Sequence, residues 1–222
     1  MTKSFPPIVK KEDEDRMKQP VLTCLDMEGV LTPEIWLAVS EKTGIADLKV
    51  TTRDIPDYDE LMQFRLKILA DHRVRLADIR KVITELRPLE GASAFLDWLR
   101  ARCQVIILSD TFYDFVAPLM EQLGYPTIFC HTLDIDEEGF VRNYHLRQAD
   151  QKRHAVAALK NLKFRVLAAG DSYNDISMLK EADAGVLFCP PASIQSEFPQ
   201  FPVARSYTEL QGELCRAGEL AP

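Results

Sequence analysis

The chain has 222 residues, of which 46% are hydrophobic and 27% charged, as in an ordinary globular protein large enough to bury a full core. Its 27 Lys and Arg residues against 34 Asp and Glu residues give a net charge of -7, which argues against a surface that binds nucleic acid. The five cysteines are scattered and include no C-x-x-C pair, and no apolar run is long enough for a membrane span or a secretory signal, so we expect a cytoplasmic protein with reduced thiols and no membrane contact.

The N-terminal segment, residues 1 to 19, is rich in Lys, Glu and Asp and holds few residues that could anchor it to a core. We therefore expect a disordered extension. Met17 lies just before the first predicted strand, so translation that began there would lose no predicted element. Mass spectrometry of the native protein would show which start is used.

Four short apolar runs are typical of buried parallel strands, and amphipathic helical patterns lie between and after them. The apolar runs are Val21 to Leu25, Val105 to Leu108, Val166 to Ala169 and Gly185 to Phe188. The helical patterns are Ala92 to Arg100, Phe112 to Leu123, His154 to Leu162 and Ile176 to Ala182. This alternation predicts an α/β fold built on a doubly wound parallel sheet.

The interval from Pro33 to Pro88 interrupts the alternation, because its patterns are helical and no buried strand lies between them. The predicted helices are Ile35 to Lys42, Tyr58 to His72 and Leu76 to Leu86. We interpret residues 33–88 as a small helical cap domain inserted into an α/β core domain formed by residues 20–32 and 89–222. Residues 131–148, with a turn at 136–139, predict a β-hairpin that leads back to the core.

Acidic and hydroxyl side chains follow three of the predicted strands. Asp26 and Glu28 come after the first strand, Ser109-Asp110-Thr111 follows the second at a predicted helix start, and Asp171 and Asp175 follow the third. Each motif alone could be a polar turn or a helix cap. Because the carboxyl ends of parallel strands meet at one rim, the set instead favours a hard cation such as Mg2+ beside a carboxylate that attacks a phosphate monoester.

A positive side chain near the rim would complete the neutralisation of a bound phosphate. Lys152, at the start of the helical pattern before the third strand, is our candidate for this role. The neighbouring Arg153 and the downstream Lys160 are alternatives that the sequence leaves open.

Four motifs together resemble the haloacid dehalogenase superfamily, and its phosphoserine phosphatase branch in particular. They are Cys24 to Leu31, Thr52 to Asp59, Leu108 to Phe112 and Ala169 to Asp175, within a resemblance that extends over nearly all of residues 20–217. The resemblance implies a Rossmann-like core and a Mg2+-dependent phosphatase that converts phosphoserine to L-serine and phosphate through an aspartyl phosphate. In a bacterial group of this branch homoserine also accepts the phosphoryl group, so the implied small-molecule partners are phosphoserine and homoserine.

The resemblance also implies roles for the residues at the predicted rim. Asp26 would be the nucleophile, and Glu28 the general acid and later the base that activates water. Asp26, the backbone carbonyl of Glu28 and Asp171 would hold Mg2+, with Asp175 in supporting contact.

Substrate contacts are implied in the same way. Ser109, the N–H of Asp110 and Lys152 would bind the phosphoryl oxygens, with Asn174 helping to position the group. In the cap, Glu34 would bind the substrate ammonium group and Arg65 its carboxylate, which a guanidinium can grip with two parallel hydrogen bonds.

Two departures from the branch bear on this interpretation. Glu28 stands where Asp is usual, and Asp110-Thr111 replaces a common Gly-Gly, which changes the charge of the phosphoryl pocket. The alternatives are a phosphatase for another small phosphomonoester and a catalytically silent binding module. A nucleotide-dependent kinase is not supported, because the chain has no G-x-x-x-x-G-K-[ST] loop. The oligomeric state is left open, with a homodimer as the assembly considered.

Overall fold

The computed structural model describes residues 19–51, 54–55 and 57–221. The predicted N-terminal extension, apart from its last residue, and the alternative start at Met17 lie outside the described residues. Within the described part of the chain, seven strands form one sheet with helices on both faces. This architecture confirms the predicted α/β class. Among the same residues, no helix is long and apolar enough to cross a lipid bilayer.

The centre of the sheet is β1 (Val21–Leu25), which pairs in parallel with β2 (Gln104–Phe112) on one side and β5 (Arg165–Gly170) on the other. Beyond β5 lie β6 (Ala184–Phe188) and the short β7 (Val203–Ala204), both parallel. Beyond β2 lie β3 (Thr127–Ile135), parallel to β2, and β4 (Val141–His145), antiparallel to β3. The predicted hairpin is therefore confirmed as β3 and β4, and it forms one edge of the main sheet.

The two sides of the sheet bury separate apolar layers, because side chains along a strand point alternately to opposite faces. On β1, Leu25 packs into one layer, whereas Leu22 and Cys24 pack into the other. Ile107 and Leu108 of β2 divide in the same way. A strand buried on both faces has no polar side, which is why its sequence appears as a continuous apolar run.

The interval after β1 is helical, as predicted. It contains α1 (Ile35–Thr43), a short 3-10 turn (Ala46–Lys49), α2 (Tyr58–Asp71) and α3 (Leu76–Glu85). No strand forms in the described part of residues 33–88. The helix α4 (Ala92–Arg100) then leads into β2. The division of the chain into a cap domain and a core domain stays a prediction.

The end of β2 corrects the prediction that the strand ends at Leu108 and that Ser109-Asp110-Thr111 stand at a helix start. The strand continues to Phe112, and α5 (Tyr113–Gln122) begins only after it. Between Leu108 and Phe112 the partner strand β3 advances by only two residues, from Phe129 to His131, so two additional residues of β2 bulge out of the ladder. The bulge presents Ser109 and its neighbours at the rim as extended backbone rather than as a helix start.

The remaining helices are α6 (Gln151–Asn161), α7 (Ile176–Glu181), α8 (Ala192–Glu197) and α9 (Tyr207–Gly218). The helix α6 begins three residues before the predicted His154, which places Lys152 inside its first turn. The loop between β5 and α7 carries Asp171 and Asp175. The carboxyl ends of β1, β2 and β5 therefore meet at the centre of the sheet, where a ligand can bind beside the loops.

Candidate active site

A tight turn after β1 lies directly against the Asp171 carboxylate. The N–H of Gly29 donates to the carbonyl of Thr32 at 2.8 Å, and Gly29 adopts a φ of 80°, which side chains rarely tolerate. A Cβ on Gly29 would lie 2.5 Å from the carboxyl carbon of Asp171. Glycine is therefore required both by the backbone conformation and by the close approach of the Asp171 carboxylate to the turn that follows Asp26.

Three carboxylates form one acidic cluster at the rim. Asp26, Asp171 and Asp175 each offer an oxygen, and these oxygens lie within 4.8 Å of one another. Asp175 is buried and its Oδ2 accepts from the N–H groups of Asp171 at 3.0 Å and Ser172 at 3.1 Å. Asp175 therefore shapes the loop that carries Asp171.

Lys152 is the cation at the centre of this cluster. It is only 3% exposed, and its Nζ lies 2.9 Å from Asp26 Oδ1 and 2.7 Å from Asp175 Oδ1. The rival Arg153 pairs with Asp150, and the rival Lys160 donates to the carbonyl of Glu181. Burial alone would lower the pKa of Lys152, but the neighbouring carboxylates hold that pKa well above its ordinary value.

Two acids of the cluster have raised pKa values, because the charge of Lys152 offsets the effects of burial and of the other carboxylates only in part. Burial, then repulsion from Asp175, raise the pKa of Asp26 well above its ordinary value. The same two causes, with Glu34, raise the pKa of Asp171 to about 7. Clustered carboxylate oxygens with uncompensated charge are the donor set that suits a hard divalent cation, so the residues present fit Mg2+.

Glu28 is tied to the first residue of α1. Its Oε2 accepts from the N–H of Ile35 at 2.8 Å. Burial, with repulsion from Glu34, raises the pKa of Glu28 to about 8, although the Ile35 bond and the charges of Arg65 and Lys152 act in the opposite direction. A carboxyl group with this pKa holds a proton at neutral pH, which a general acid must do.

Arg65 is a buried cation on α2, only 7% exposed. Its guanidinium carbon lies 4.7 Å from the ring centre of Trp36, and Nη2 donates to the carbonyl of Val50 at 3.0 Å. The Nε group is buried and has no hydrogen-bond partner among the described residues. Burial lowers the pKa of Arg65, and the charges of Glu28 and Glu34 offset part of this effect.

The predicted phosphoryl-binding residues gather around Asp110. Ser109 is 1% exposed, and its hydroxyl accepts from the N–H of Thr111 at 3.3 Å. Asp110 Oδ2 accepts from Asn174 Nδ2 at 2.7 Å and lies 3.8 Å from Lys152 Nζ. Contacts therefore join Asp26, Asp110, Lys152 and Asn174, while Glu28, Glu34 and Arg65 form a second group near α1 and α2.

Sequence reasoning missed three polar residues that contact Asp110. Gln151 and His131 approach its carboxylate, and the hydroxyl of Tyr58 donates to its carbonyl at 2.9 Å. Gln151 and His131 belong to no motif, because a single glutamine or histidine in an amphipathic pattern has no spacing that marks it, whereas Tyr58 lies within the Thr52 to Asp59 motif but was assigned no role. The burial of Gln151 and His131 is the distinguishing signal, and burial is known only once the fold is known.

A cleft of about 800 Å³ opens beside these residues. The residues that line it include Asp110, Lys152, Asn174, Tyr58 and Tyr173. Asp26, which contacts Lys152, does not line the cleft.

Comparisons with known proteins identify the family of the chain. The family model described as haloacid dehalogenase-like hydrolase matches residues 23–183. The "Phosphoserine phosphatase ThrH" of Pseudomonas aeruginosa is 59% identical over 196 residues, which cover 88% of this chain and 96% of that protein. The "Phosphoserine phosphatase" of Pseudomonas syringae pv. tomato is also 59% identical, over 88% of this chain and 83% of that protein.

Among solved structures, the chain is similar to a phosphoserine phosphatase in its apo form, with a TM-score of 0.73 and 21% identity. That match covers 87% of this chain and 98% of the other. At this identity the likeness shows the fold alone. The resemblance expected from the four sequence motifs is confirmed by the family match and by the two Pseudomonas relatives.

Proposed function

The chain belongs to the haloacid dehalogenase-like hydrolase family, and we propose that it hydrolyses phosphoserine to L-serine and phosphate through an aspartyl phosphate on Asp26. The observation that carries the proposal is the setting of Asp26. Its Oδ1 accepts from the N–H of Met27 at 2.7 Å and lies 2.9 Å from Lys152 Nζ, which fixes the carboxylate. We assign the attack on phosphorus to the other oxygen, Oδ2.

The acidic cluster supports Mg2+ dependence. We assign Asp26, the carbonyl of Glu28 and Asp171 as the residues that would hold the ion. A bound Mg2+ would offset the repulsion between the attacking carboxylate and the phosphate dianion. Lys152 then stabilises the phosphoryl group from its own side, together with Ser109.

Glu28 is proposed as the proton donor and acceptor. With its pKa raised to about 8, it can protonate the leaving serine oxygen and then, as a carboxylate, accept a proton from the attacking water. The bond from the N–H of Ile35 holds this longer side chain at the start of α1 and fixes its direction. The additional methylene of Glu28 is accommodated in this way.

We propose that Arg65 binds the carboxylate of an amino-acid substrate and that Glu34 binds its ammonium group. The contacts of Arg65 with Trp36 and Val50 hold its guanidinium in place before substrate arrives, and its buried Nε lacks an acceptor among the described residues. The exposed carboxylate of Glu34 lies at the N-cap of α1. A substrate with both an ammonium and a carboxylate group fits this pair better than a sugar phosphate does.

The recognition test compares Arg65→Met with the parent protein on two substrates. Methionine retains apolar contact with Trp36 but removes the charge. We expect the KM for phosphoserine to rise about 10- to 100-fold, the range of a hydrogen bond to a charged group, while the KM for p-nitrophenyl phosphate changes little. Equal changes for both substrates would remove Arg65 from this role.

Homoserine is proposed as a second acceptor of the phosphoryl group. It carries the same ammonium and carboxylate groups as serine, so Arg65 and Glu34 could hold it while its hydroxyl reaches the aspartyl phosphate. Phosphorus NMR with phosphoserine and Mg2+, run with and without homoserine, separates the two outcomes. Phosphate in both samples and phosphohomoserine only in the second support a shared intermediate. An unchanged phosphoserine signal in both would contradict the substrate assignment.

A further inference from the structure

The Asp110 side chain, which replaces a common glycine, is held by donors at both carboxylate oxygens. Oδ1 accepts from Gln151 Nε2 at 3.1 Å and lies 3.5 Å from His131 Nε2. Oδ2 accepts from Asn174 Nδ2 at 2.7 Å. The backbone carbonyl of Asp110 accepts from the hydroxyl of Tyr58 at 2.9 Å.

The orientation of His131 makes it a donor toward Asp110. Its Nδ1 accepts from the N–H of Arg147 at 3.1 Å, so in the neutral ring the proton lies on Nε2, which faces Asp110 Oδ1. Burial alone would raise the pKa of Asp110, but the charge of Lys152 and these hydrogen bonds hold that pKa below its ordinary value. Asp110 is therefore an ionised acceptor surrounded by donors.

The donors come from separate segments of the chain. Gln151 lies next to Lys152 in the first turn of α6, and its Nε2 also donates to the carbonyl of Ser109 at 2.6 Å. Asn174 lies in the loop after β5 that carries Asp171. The Asp110 carboxylate thus links the bulge that holds Ser109 to both of these segments.

The bulge explains why such a link is needed. Two additional residues of β2 leave the ladder between Leu108 and Phe112, so their polar groups and their position are not fixed by pairing with β3. A site residue that stands on an unpaired segment needs other hydrogen bonds to hold it within the small tolerance that catalysis allows.

We infer that Asp110 is a positioning residue, whose carboxylate, with Gln151 and His131, fixes the Ser109 bulge against the first turn of α6, which carries Lys152, and against the loop that carries Asn174. This inference rests on the proposed phosphoryl transfer, with Ser109 and Lys152 as its binding groups. It assigns to the side chain of Asp110 a role separate from that of its backbone N–H. A phosphoryl group held between the Ser109 bulge, the first turn of α6 and the Asn174 loop would lose its alignment with Asp26 if the hydrogen bonds of Asp110 were removed.

The test is a double-mutant cycle with Asp110→Asn and Gln151→Met, assayed on phosphoserine and on p-nitrophenyl phosphate. Asp110→Asn keeps the volume of the side chain, but its NH2 group would face the donor group of Gln151 or of Asn174. We expect kcat/KM to fall about 100-fold for Asp110→Asn, the effect of a misplacement near 1 Å, on both substrates alike. Gln151→Met should cost about 10-fold, and the double variant no more than about threefold beyond Asp110→Asn, because both changes break one network.

The control is Gln200→Met, at an exposed residue that does not line the cleft, which should leave kcat/KM unchanged. Thermal unfolding checks that every variant folds; if Asp110→Asn does not, Gln151→Met paired with His131→Gln completes the cycle. Losses that multiply, or an Asp110→Asn rate within threefold of the parent, overturn the inference. A parent that hydrolyses p-nitrophenyl phosphate but not phosphoserine overturns the proposed substrate instead, and the cycle is then decided on p-nitrophenyl phosphate.

Discussion

Replacing Gly29 by alanine tests how the turn after β1 positions the acids of the site. An alanine Cβ would lie 2.5 Å from both Cγ and Oδ2 of Asp171, whereas ordinary contact begins at 3.4 Å. The difference between these distances requires the Asp171 carboxylate to retreat by about 0.9 Å. Because a misplacement near 1 Å can cost roughly 100-fold in rate, we expect kcat/KM to fall by about that factor and the Mg2+ concentration for half-maximal rate to rise.

Gly44→Ala is the matched control for this prediction. Gly44 has a similar φ of 73° at the end of α1, but a Cβ there would meet nothing within 4 Å. Both variants should lose about 1 to 2 kcal/mol of unfolding free energy, because a left-handed backbone is unfavourable for alanine. Urea unfolding measures this shared cost, and Mg2+ titrations of the initial rate measure the difference. If the two variants have the same rates and the same Mg2+ requirement, the approach of Asp171 to Gly29 has no catalytic importance.

Three further predictions concern the charges of the site. In the metal-free protein the folded-state pKa of Asp171 is raised to about 7 and that of Glu28 to about 8, so the folded state retains protons that the unfolded state loses above about pH 4. Urea unfolding in EDTA should therefore show stability falling between about pH 4 and 8, and a flat profile there would contradict the raised pKa values. Asp171→Asn should weaken this fall and make the metal-free protein more stable at pH 8, while abolishing Mg2+-dependent turnover; a loss of stability at pH 8 would argue against charge repulsion in the cluster. Lys152→Met should cost about 3 to 5 kcal/mol because it leaves buried acids without their cation, whereas Lys160→Met, at a partly exposed pair, should cost under about 1 kcal/mol; equal losses would mean that burial does not decide the effect.

Much of the sheet could be predicted because its strands are buried on both faces. The run at residues 166–169 is wholly apolar and the run at Val21–Leu25 contains only the small polar Thr23, and a short run of this kind between helical patterns has few other structures open to it. The end of β2 could not be predicted in the same way. Ser109, Asp110 and Thr111 are polar residues that favour a turn or a helix cap, and only pairing with β3 shows that they form a bulged strand.

Some residues of the candidate site could likewise be predicted from the sequence, and others could not. Asp26 and Asp171 could be placed together because each directly follows a strand and the strand ends are adjacent in the sheet. The choice of Lys152 over Arg153 could not be made from spacing, since helical neighbours differ by only about 100° in direction and the start of α6 was not known. Gln151 and His131 were missed because a residue that orients another residue carries no motif of its own.

The charges around Lys152 and those around Arg65 should affect substrate binding in different ways. Lys152 faces Asp26, Asp175 and Asp110 at once, so without a metal ion the phosphoryl side of the site is negative and would repel a phosphate dianion. Near α1 and α2 the site instead carries the cation of Arg65. Contacts with Trp36 and Val50 fix its guanidinium before any ligand arrives. Binding of the phosphoryl group should therefore depend on Mg2+, whereas recognition of the amino-acid end should not. Substitutions near Arg65 should accordingly change KM, and substitutions in the Asp110 network should change the rate for every phosphomonoester alike, if, as we propose, each group of residues acts on a different part of the same substrate.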